Sequence, residues 1–458
     1  MSILIKNGRI ITSTDDYVAD IFCDHETITA IGTNLDSAAA DEVIDATDKF
    51  VFPGFIDPHV HIYLPFMGTY AKDDYESASK AALVGGTTTL IEMCCPARNE
   101  SPREAFELWK SKAHNSAVDY TFHMGVTRFD AQAEKELREI VDQGISSFKI
   151  FLAYEGAFGI SDAELYQTLK LAKELGVIVT AHCENATVVS QLQAELIAAG
   201  NTGPEFHEPS RPELVETEGV HHLMTFAELT GCHVYVVHTS CDGAVRAVQD
   251  ARYRGVNAWI ETVIPYLVLD KTYAEQPNFE GAKYVMSPPI RHLRNQSILW
   301  DALRSRLIST VGTDHAPFDF SQKRMGEHDF TKIPNGIPSV EHRVNLLYSE
   351  GVLPGRIDLH TLVDAASTQA AKLFDLYPRK GTIQLGSDAD LVIFDPTHHG
   401  TISATTQHMN VDYSAFEGWQ ITGRLETVTV RGAVQVRHGK FVGTLGRGQM
   451  LPRTPTHF

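Results

Sequence analysis

The residues of this sequence that could do chemistry are histidines and one aspartate at the ends of apolar segments. His59 and His61 lie in Phe-Ile-Asp-Pro-His-Val-His. Because alternate residues of a β-strand share a face, both imidazoles can bind one ion. His182, His238 and Asp314 end further apolar segments. Neutral imidazole and carboxylate are ligands of zinc and similar divalent cations, so the set predicts a metal site.

Lys149 is unusual because it lies inside an apolar segment, Ser-Phe-Lys-Ile-Phe. A lysine in such a place is costly to bury unless it is paired or chemically modified. A cationic amine cannot bridge two metal ions, whereas a carbamate formed from the neutral amine and carbon dioxide presents two anionic oxygens. The alternative is a lysine whose ammonium group reaches solvent at the rim of the fold.

Apolar β-type segments alternate with helical ones and would position these residues. The eight predicted strands are 52–57, 87–93, 118–126, 147–152, 177–181, 233–237, 256–261 and 308–313. Such repetition over about 260 residues is typical of a (β/α)8 barrel, although the pattern alone also allows a doubly wound open sheet. The candidate ligands lie at or near the carboxyl ends of the strands, which a barrel brings to one point and an open sheet spreads across its width. We therefore predict the barrel.

Three of the intervening helices have recognisable ends. Ser101 with Glu104 and Ser161 with Glu164 have the spacing of capping boxes, and the second of these helices is predicted to end at Gly176. A third helix is predicted over 242–255.

The two ends of the chain differ from its middle. Short β-type runs separated by turn residues occupy 2–12, 17–32, 389–394 and 427–443. Neither end is long enough to form a typical domain alone, but together they give roughly 130 residues, a normal domain size. We predict an α/β protein in which residues 1–51 and 386–458 form a composite β-sandwich domain with a C-terminal tail, and residues 52–385 form the (β/α)8 barrel.

Composition excludes several classes of function. The 39 basic and 58 acidic residues give a net charge of −19, and no Lys/Arg-rich run is present, so neither nucleic acid nor an anionic membrane is an expected partner. No uncharged apolar run approaches the ~18 residues of a membrane span. Six cysteines without a Cys-x-x-Cys pair predict reduced thiols, and no cationic leader precedes an apolar core. We expect a cytoplasmic protein that acts on a small molecule.

Motifs along essentially the whole chain resemble those of the cyclic amidohydrolases, which include hydantoinases, dihydropyrimidinases, allantoinases and dihydroorotases. Among these, the sequence is most similar to bacterial D-hydantoinases, also described as dihydropyrimidinases. The motifs are Gly-Phe-Ile-Asp-Pro-His-Val-His (54–61), Gly-Gly-Thr-Thr-Thr (85–89), Phe-Lys-Ile (148–150), Ala-His-Cys-Glu (181–184), Gly-Thr-Asp-His (312–315) and Gly-Ser-Asp-Ala-Asp-Leu (386–391).

The resemblance implies a binuclear zinc centre bridged by a carbamylated Lys149. By that resemblance, one metal is held by His59, His61, Lys149 and Asp314, and the other by Lys149, His182 and His238. In the implied reaction, hydroxide attacks the ring amide carbon, and Asp314 takes its proton and delivers it to the leaving nitrogen. Tyr154 resembles the tyrosine that stabilises the oxyanion in the family.

The substrate is predicted from the segment that follows His61. Dihydroorotases have an arginine two residues after His-x-His to bind a carboxylate, and allantoinases have a polar residue there, whereas this chain continues Ile-Tyr-Leu-Pro-Phe. An anionic ring would therefore lack its anchor. Apolar side chains suit an alkyl or aryl substituent on a neutral ring, and two further residues resemble positions whose backbone groups hydrogen-bond the cyclic amide. The predicted substrate-binding residues are Tyr154, Leu64, Phe66, Phe151, Phe158, Ser287 and Asn335.

The leading hypothesis is thus hydrolysis of 5-substituted hydantoins and dihydropyrimidines to N-carbamoyl amino acids. One alternative is an allantoinase. Another is a non-catalytic scaffold like the dihydropyrimidinase-like proteins that have lost metal ligands, although every ligand position is retained here. The tail after Gly439, with Arg447, Arg453 and Phe458, resembles tails that reach neighbouring subunits in relatives, so we expect a homotetramer.

Overall fold

The computed structural model describes residues 2–455, whose strands form two large sheets and one small hairpin. The strands in chain order are β1 Ser2–Ile11, β2 Asp16–Asp24, β3 Thr27–Gly32, β4 Glu42–Asp45, β5 Phe50–Pro53, β6 Phe55–Val60, β7 Pro65–Phe66, β8 Thr69–Tyr70, β9 Thr87–Cys94, β10 Asp119–Gly125, β11 Ser147–Phe151, β12 Ile178–His182, β13 Val234–Val236, β14 Ala258–Val263, β15 Thr310–Gly312, β16 Leu391–Thr401, β17 Gln420–Val430, β18 Ala433–Arg437 and β19 Lys440–Phe441.

Helices connect the strands of the central sheet. The helices in chain order are α1 Tyr75–Val84, α2 Pro102–Lys112, α3 Ala131–Asp142, α4 Asp162–Leu175, α5 Ala186–Ala198, α6 Glu213–Thr230, α7 Asp242–Tyr253, α8 Ile264–Val268, α9 Arg294–Arg304, α10 Phe320–Lys323, α11 Arg343–Leu346, α12 Leu359–Val363 and α13 Gln369–Leu373. The predicted starts of α2 and α4 are confirmed, since Ser101 and Ser161 cap them, and Gly176 ends α4 in the left-handed conformation with φ of 69°.

The central sheet is a nearly closed barrel. Its eight parallel strands run in the order β6, β9, β10, β11, β12, β13, β14, β15. β15 returns to the side of β6, where Val60 bridges His315 and the N–H of His61 donates to the carbonyl of His315 at 2.8 Å. The (β/α)8 barrel is therefore confirmed over the open sheet. Its first strand begins at Phe55, three residues after the predicted start.

The second large sheet joins the two ends of the chain. Its nine strands come from both termini, because β16 pairs antiparallel with β5, and β5 lies beside β1. Phe52 belongs to β5 in this sheet, so the predicted division at residue 52 falls inside a strand. A division at Gly54 leaves every strand in its own sheet.

The segment that follows β19 packs beneath the barrel of the same chain. The N–H of Tyr120 donates to the carbonyl of Gln449 at 3.0 Å, and the N–H of Leu451 donates to the carbonyl of Tyr120 at 2.8 Å. The buried Arg453 donates to Ser147 Oγ at 3.0 Å. This part of the tail therefore contributes to the barrel, while Phe458 lies outside the described residues.

All six cysteines are buried free thiols. Among residues 2–455, none of the helices combines the length and the apolar character that crossing a bilayer requires.

Candidate active site

The predicted site residues meet in one cavity at the carboxyl ends of the barrel strands. Twelve of the thirteen line it, together with Ala316 and Gly336, and His59 is fully buried and lies against His61, Asp314 and His238. The twelve are His61, Leu64, Phe66, Lys149, Phe151, Tyr154, Phe158, His182, His238, Ser287, Asp314 and Asn335.

Three of these residues direct their ligand atoms at one point. The Nε2 atoms of His59 and His61 are 3.2 Å apart, and Oδ1 of Asp314 lies 3.1 Å from the first and 3.3 Å from the second. Ligands placed tetrahedrally about 2.0–2.1 Å from zinc are separated by about 3.3 Å. The three atoms therefore already have the spacing of a cation's ligand shell, and they form a candidate metal set.

Two further histidines and Lys149 lie beside this set. The rings of His182 and His238 are 4.5 Å apart between centroids, and the ring of His238 is 5.3 Å from that of His59. Nε2 of His182 donates to Glu184 at 2.7 Å, which leaves Nδ1 as its free ligand atom. The structure thus brings together all six residues that the sequence singled out as ligands.

Unsatisfied buried atoms show that these residues fit a bound cation. Nζ of Lys149 and Nδ1 of His238 have no hydrogen-bond partner among the described residues, although both side chains are buried. Unpartnered polar atoms are costly in a protein interior and call for a missing ligand. Burial also lowers the pKa of Lys149, which favours the neutral amine that carbon dioxide requires.

The charges around Asp314 favour its ionised form. Burial alone would raise the pKa of Asp314, but the adjacent His59 and His61 hold it well below its usual range. In the same way burial opposes protonation of His59, but the carboxylates of Glu261 and Asp314 outweigh it and raise the pKa of His59 to about 9. Glu261 and Asp314 therefore place negative charge beside His59, which would favour a cation bound at this point.

Three further polar side chains line the cavity. Nδ2 of Asn335 donates to Oγ of Ser287 at 2.9 Å, and both side chains lie near Tyr154 in the cavity lining. Burial raises the pKa of Tyr154, so this hydroxyl stays protonated. Tyr154 adopts a left-handed backbone with φ of 59°, as do His238 and Asp314, which is the kind of strain often stored at functional sites.

Aromatic side chains form the apolar wall. The ring of Phe66 stands edge-on to Tyr154 at 5.4 Å and stacks with Phe158 at 6.2 Å, while Phe151 lies 5.4 Å from Phe158. With the buried Leu64, they form the apolar part of the cavity lining.

The sequence did not single out the groups that hold the ligands in place. Glu261 accepts hydrogen bonds from Nδ1 of His59 at 2.7 Å and from the N–H of His238 at 2.9 Å. Arg211 donates to Glu184 at 2.6 Å and stacks on the ring of Tyr154 at 5.4 Å. The sequence did place Glu261 at the end of the predicted strand 256–261, which was a usable signal. Nothing in the sequence pointed to Arg211.

Comparisons with known proteins agree with this geometry. The model of the amidohydrolase family matches residues 50–434. The chain belongs to that family. Among curated relatives, a D-hydantoinase of Geobacillus stearothermophilus is 49% identical over 99% of this chain and 97% of its own length.

Solved structures of the family have the same fold. A D-hydantoinase (dihydropyrimidinase) from Thermus sp. has a TM-score of 0.98, with 62% identity over 100% of both chains. An L-hydantoinase (dihydropyrimidinase) from Arthrobacter aurescens has a TM-score of 0.90, with 32% identity over 98% of this chain and 99% of its own. Relatives named for opposite enantiomers share this fold, so the fold alone does not determine the hand of the substrate.

Proposed function

We propose that this protein is a binuclear metal-dependent hydrolase that opens the cyclic amide of 5-substituted hydantoins and dihydropyrimidines to give N-carbamoyl amino acids. The observation that carries the proposal is the mutual spacing of His59, His61 and Asp314 beside the unpartnered Lys149. Relatives named D-hydantoinase support the same reaction.

The residues present would hold two cations. One would be bound by His59, His61, Lys149 and Asp314, and the other by Lys149, His182 and His238, with Lys149 carbamylated so that it bridges them. When bound, such cations polarise the scissile carbonyl and lower the pKa of water. Zinc suits this imidazole and carboxylate set, and the buried, unpartnered Lys149 supports the carbamate.

The chain's own groups would direct the reaction. Asp314, kept ionised by its histidine neighbours, takes the proton of the attacking water and returns it to the ring nitrogen as the amide bond breaks. The protonated hydroxyl of Tyr154 donates to the oxyanion that develops on the attacked carbonyl. Backbone groups at Ser287 and Asn335 hold the rest of the ring amide.

The cavity wall favours a neutral ring with an apolar substituent. Lys149 and histidines are the basic residues among those that line the cavity, and no arginine is among the described lining residues. A carboxylate-bearing ring would therefore lack a guanidinium partner. Phe66, Phe151 and Phe158 suit an alkyl or aryl group better than the polar ureido group of allantoin.

A substrate panel tests the proposal. Dihydrouracil, both enantiomers of an aryl-substituted hydantoin, allantoin and dihydroorotate are assayed with protein of measured metal content. We expect turnover of hydantoin and dihydrouracil, with the D-hydantoin preferred, and about two metal ions per chain. Faster turnover of allantoin would refute the substrate assignment, and metal-free protein would support a scaffold.

Two variants give the panel its control. Lys149→Ala removes the shared ligand and should lose most of the metal and the activity, whereas Lys170→Ala on the exposed face of α4 should lose neither. Normal metal content and turnover in Lys149→Ala would contradict the bridging role.

Assembly and location complete the proposal. We propose a homotetramer on the basis of family resemblance, which light scattering tests, since a monomer would contradict it. The six buried, unpaired thiols support a cytoplasmic location, where cysteines stay reduced.

A further inference from the structure

Lys323 is a fully buried lysine whose ammonium group binds backbone carbonyls. It lies at the end of α10, outside the cavity, and Nζ donates to the carbonyls of Val285 at 2.9 Å, Pro334 at 2.6 Å and Gly336 at 2.8 Å. Among the described residues no carboxylate forms an ion pair with it. An ammonium group has three N–H donors, so the three carbonyls satisfy it completely.

The three carbonyls belong to two loops that each carry a substrate-binding residue. Pro334 and Gly336 flank Asn335, and Val285 precedes Ser287 by two residues. The loops are also joined directly, since the N–H of Gly336 donates to the carbonyl of Val285 at 2.9 Å. Lys323 is therefore the centre of a cluster that ties the two loops together behind the cavity.

The contact with Pro334 also orients the peptide group of Asn335. In a planar trans peptide the C=O and N–H point in opposite directions. When Lys323 holds the carbonyl of Pro334 on one side, the N–H of Asn335 must point away from Lys323, and Asn335 itself lines the cavity. On the second loop, His207 holds the next carbonyl, that of Met286, at 2.8 Å.

Apolar side chains shield Lys323 and its three carbonyl partners from water. Val285, Phe330 and Ile333 form a buried apolar cluster against which Phe320 of α10 packs. Water is therefore a poor substitute for the three N–H donors. Burial lowers the pKa of Lys323 by penalising its charged form, whereas three carbonyl acceptors match the three N–H donors of an ammonium group and favour that form at a cost in stability. A buried charge that lowers stability is expected where it fixes the positions of the carbonyl groups that it binds.

We propose that Lys323 is a positioning residue for substrate recognition, one that holds the loops of Ser287 and Asn335 so that their backbone groups meet the ring amide. This inference rests on the proposed function for the identity of the ligand. Because the ring amide would be bound alike in the ground state and the transition state, losing Lys323 should weaken substrate binding more than it slows chemistry.

The test compares Lys323→Met with the full-length wild type. We expect unchanged metal content, KM raised at least about tenfold on a 5-substituted hydantoin, and kcat within about threefold. Backbone hydrogen exchange should become faster in 285–288 and 333–337 and stay unchanged around His59 and His182. Lys332→Met is the matched control, because Lys332 lies exposed on the same segment and pairs with Asp329; it should behave as wild type.

Lys323→Gln keeps amide donors on a shorter side chain and should give intermediate values. It carries the same comparison if Lys323→Met does not fold. Unchanged KM and unchanged exchange would overturn the proposal, and so would the failure of both variants to fold, since Lys323 would then be a residue of the fold itself. Failure of the proposed function is read separately, as lack of turnover by the wild type, and leaves the exchange experiment as the test of loop positioning.

Discussion

Replacement of Glu261 by glutamine should weaken metal binding without touching a ligand. The buried carboxylate accepts from Nδ1 of His59 at 2.7 Å, from the N–H of His238 at 2.9 Å and from the hydroxyl of Tyr235 at 2.9 Å. Glutamine offers one acceptor oxygen and no charge, so at least one of these donors loses its partner. Loss of such an outer partner costs about 10–100-fold in metal affinity, which corresponds to about 1.4–2.8 kcal/mol.

We expect Glu261→Gln near the upper end of that range, because one carboxylate orients two of the ligand residues. Competition with a chromogenic chelator at fixed pH measures the affinity, and kcat/KM at saturating metal shows how much activity returns. Tyr235→Phe removes one hydrogen bond from the other oxygen and should change the affinity less than about threefold. An affinity of Glu261→Gln within twofold of wild type would refute the view that Glu261 orients the ligands.

Three further predictions concern the cavity and its support. Tyr154→Phe should lower kcat about 10²–10³-fold at unchanged metal content, because the oxyanion loses a donor; a kcat near wild type would exclude that role. Phe158→Ala should lower kcat/KM about tenfold more for an aryl-substituted hydantoin than for dihydrouracil, and equal losses would place the substituent elsewhere. Burial lowers the pKa of His207 from 6.5 to about 3, so its contribution to stability is present above pH 6.5 and is lost as the pH falls toward 3, at up to about 1.4 kcal/mol per pH unit. His207→Gln should therefore show a shallower acid dependence in urea unfolding, and identical slopes would contradict this.

Much of the barrel follows from local patterns. All eight predicted strands overlap observed ones, and seven of them have ends shifted by at most two residues, since continuous apolar segments between capped helices leave few alternatives. The first strand was the exception. Phe52 and Phe55 lie in one apolar run that continues through Gly54 from the terminal sheet into the barrel. No local pattern shows where one sheet ends and the next begins.

The candidate ligands were predictable for a similar reason. The two-residue spacing of His59 and His61 and the strand-terminal places of His182, His238 and Asp314 express the geometry of parallel strands. Their outer partners were not. Glu261 is an ordinary carboxylate in sequence, and its hydrogen bonds to His59 and His238 exist only because the closed barrel brings β6, β13 and β14 together. Glu184, by contrast, bonds to His182 two residues away, but only the structure shows that its side chain turns back to that imidazole.

The sequence by itself determined the repeating strand–helix order, the residue types that can bind cations and the apolar character of one part of the cavity lining, because each depends on neighbours close along the chain. Tertiary structure alone decided that the segment from Gln449 to Arg453 lies beneath its own barrel, and that Lys323 joins the loops of Ser287 and Asn335. These contacts link segments far apart in the chain, or turn on the direction of single carbonyl groups. The amino-acid sequence does not indicate long-range contacts of this kind or the directions of carbonyl groups. Both can be read only from the folded backbone.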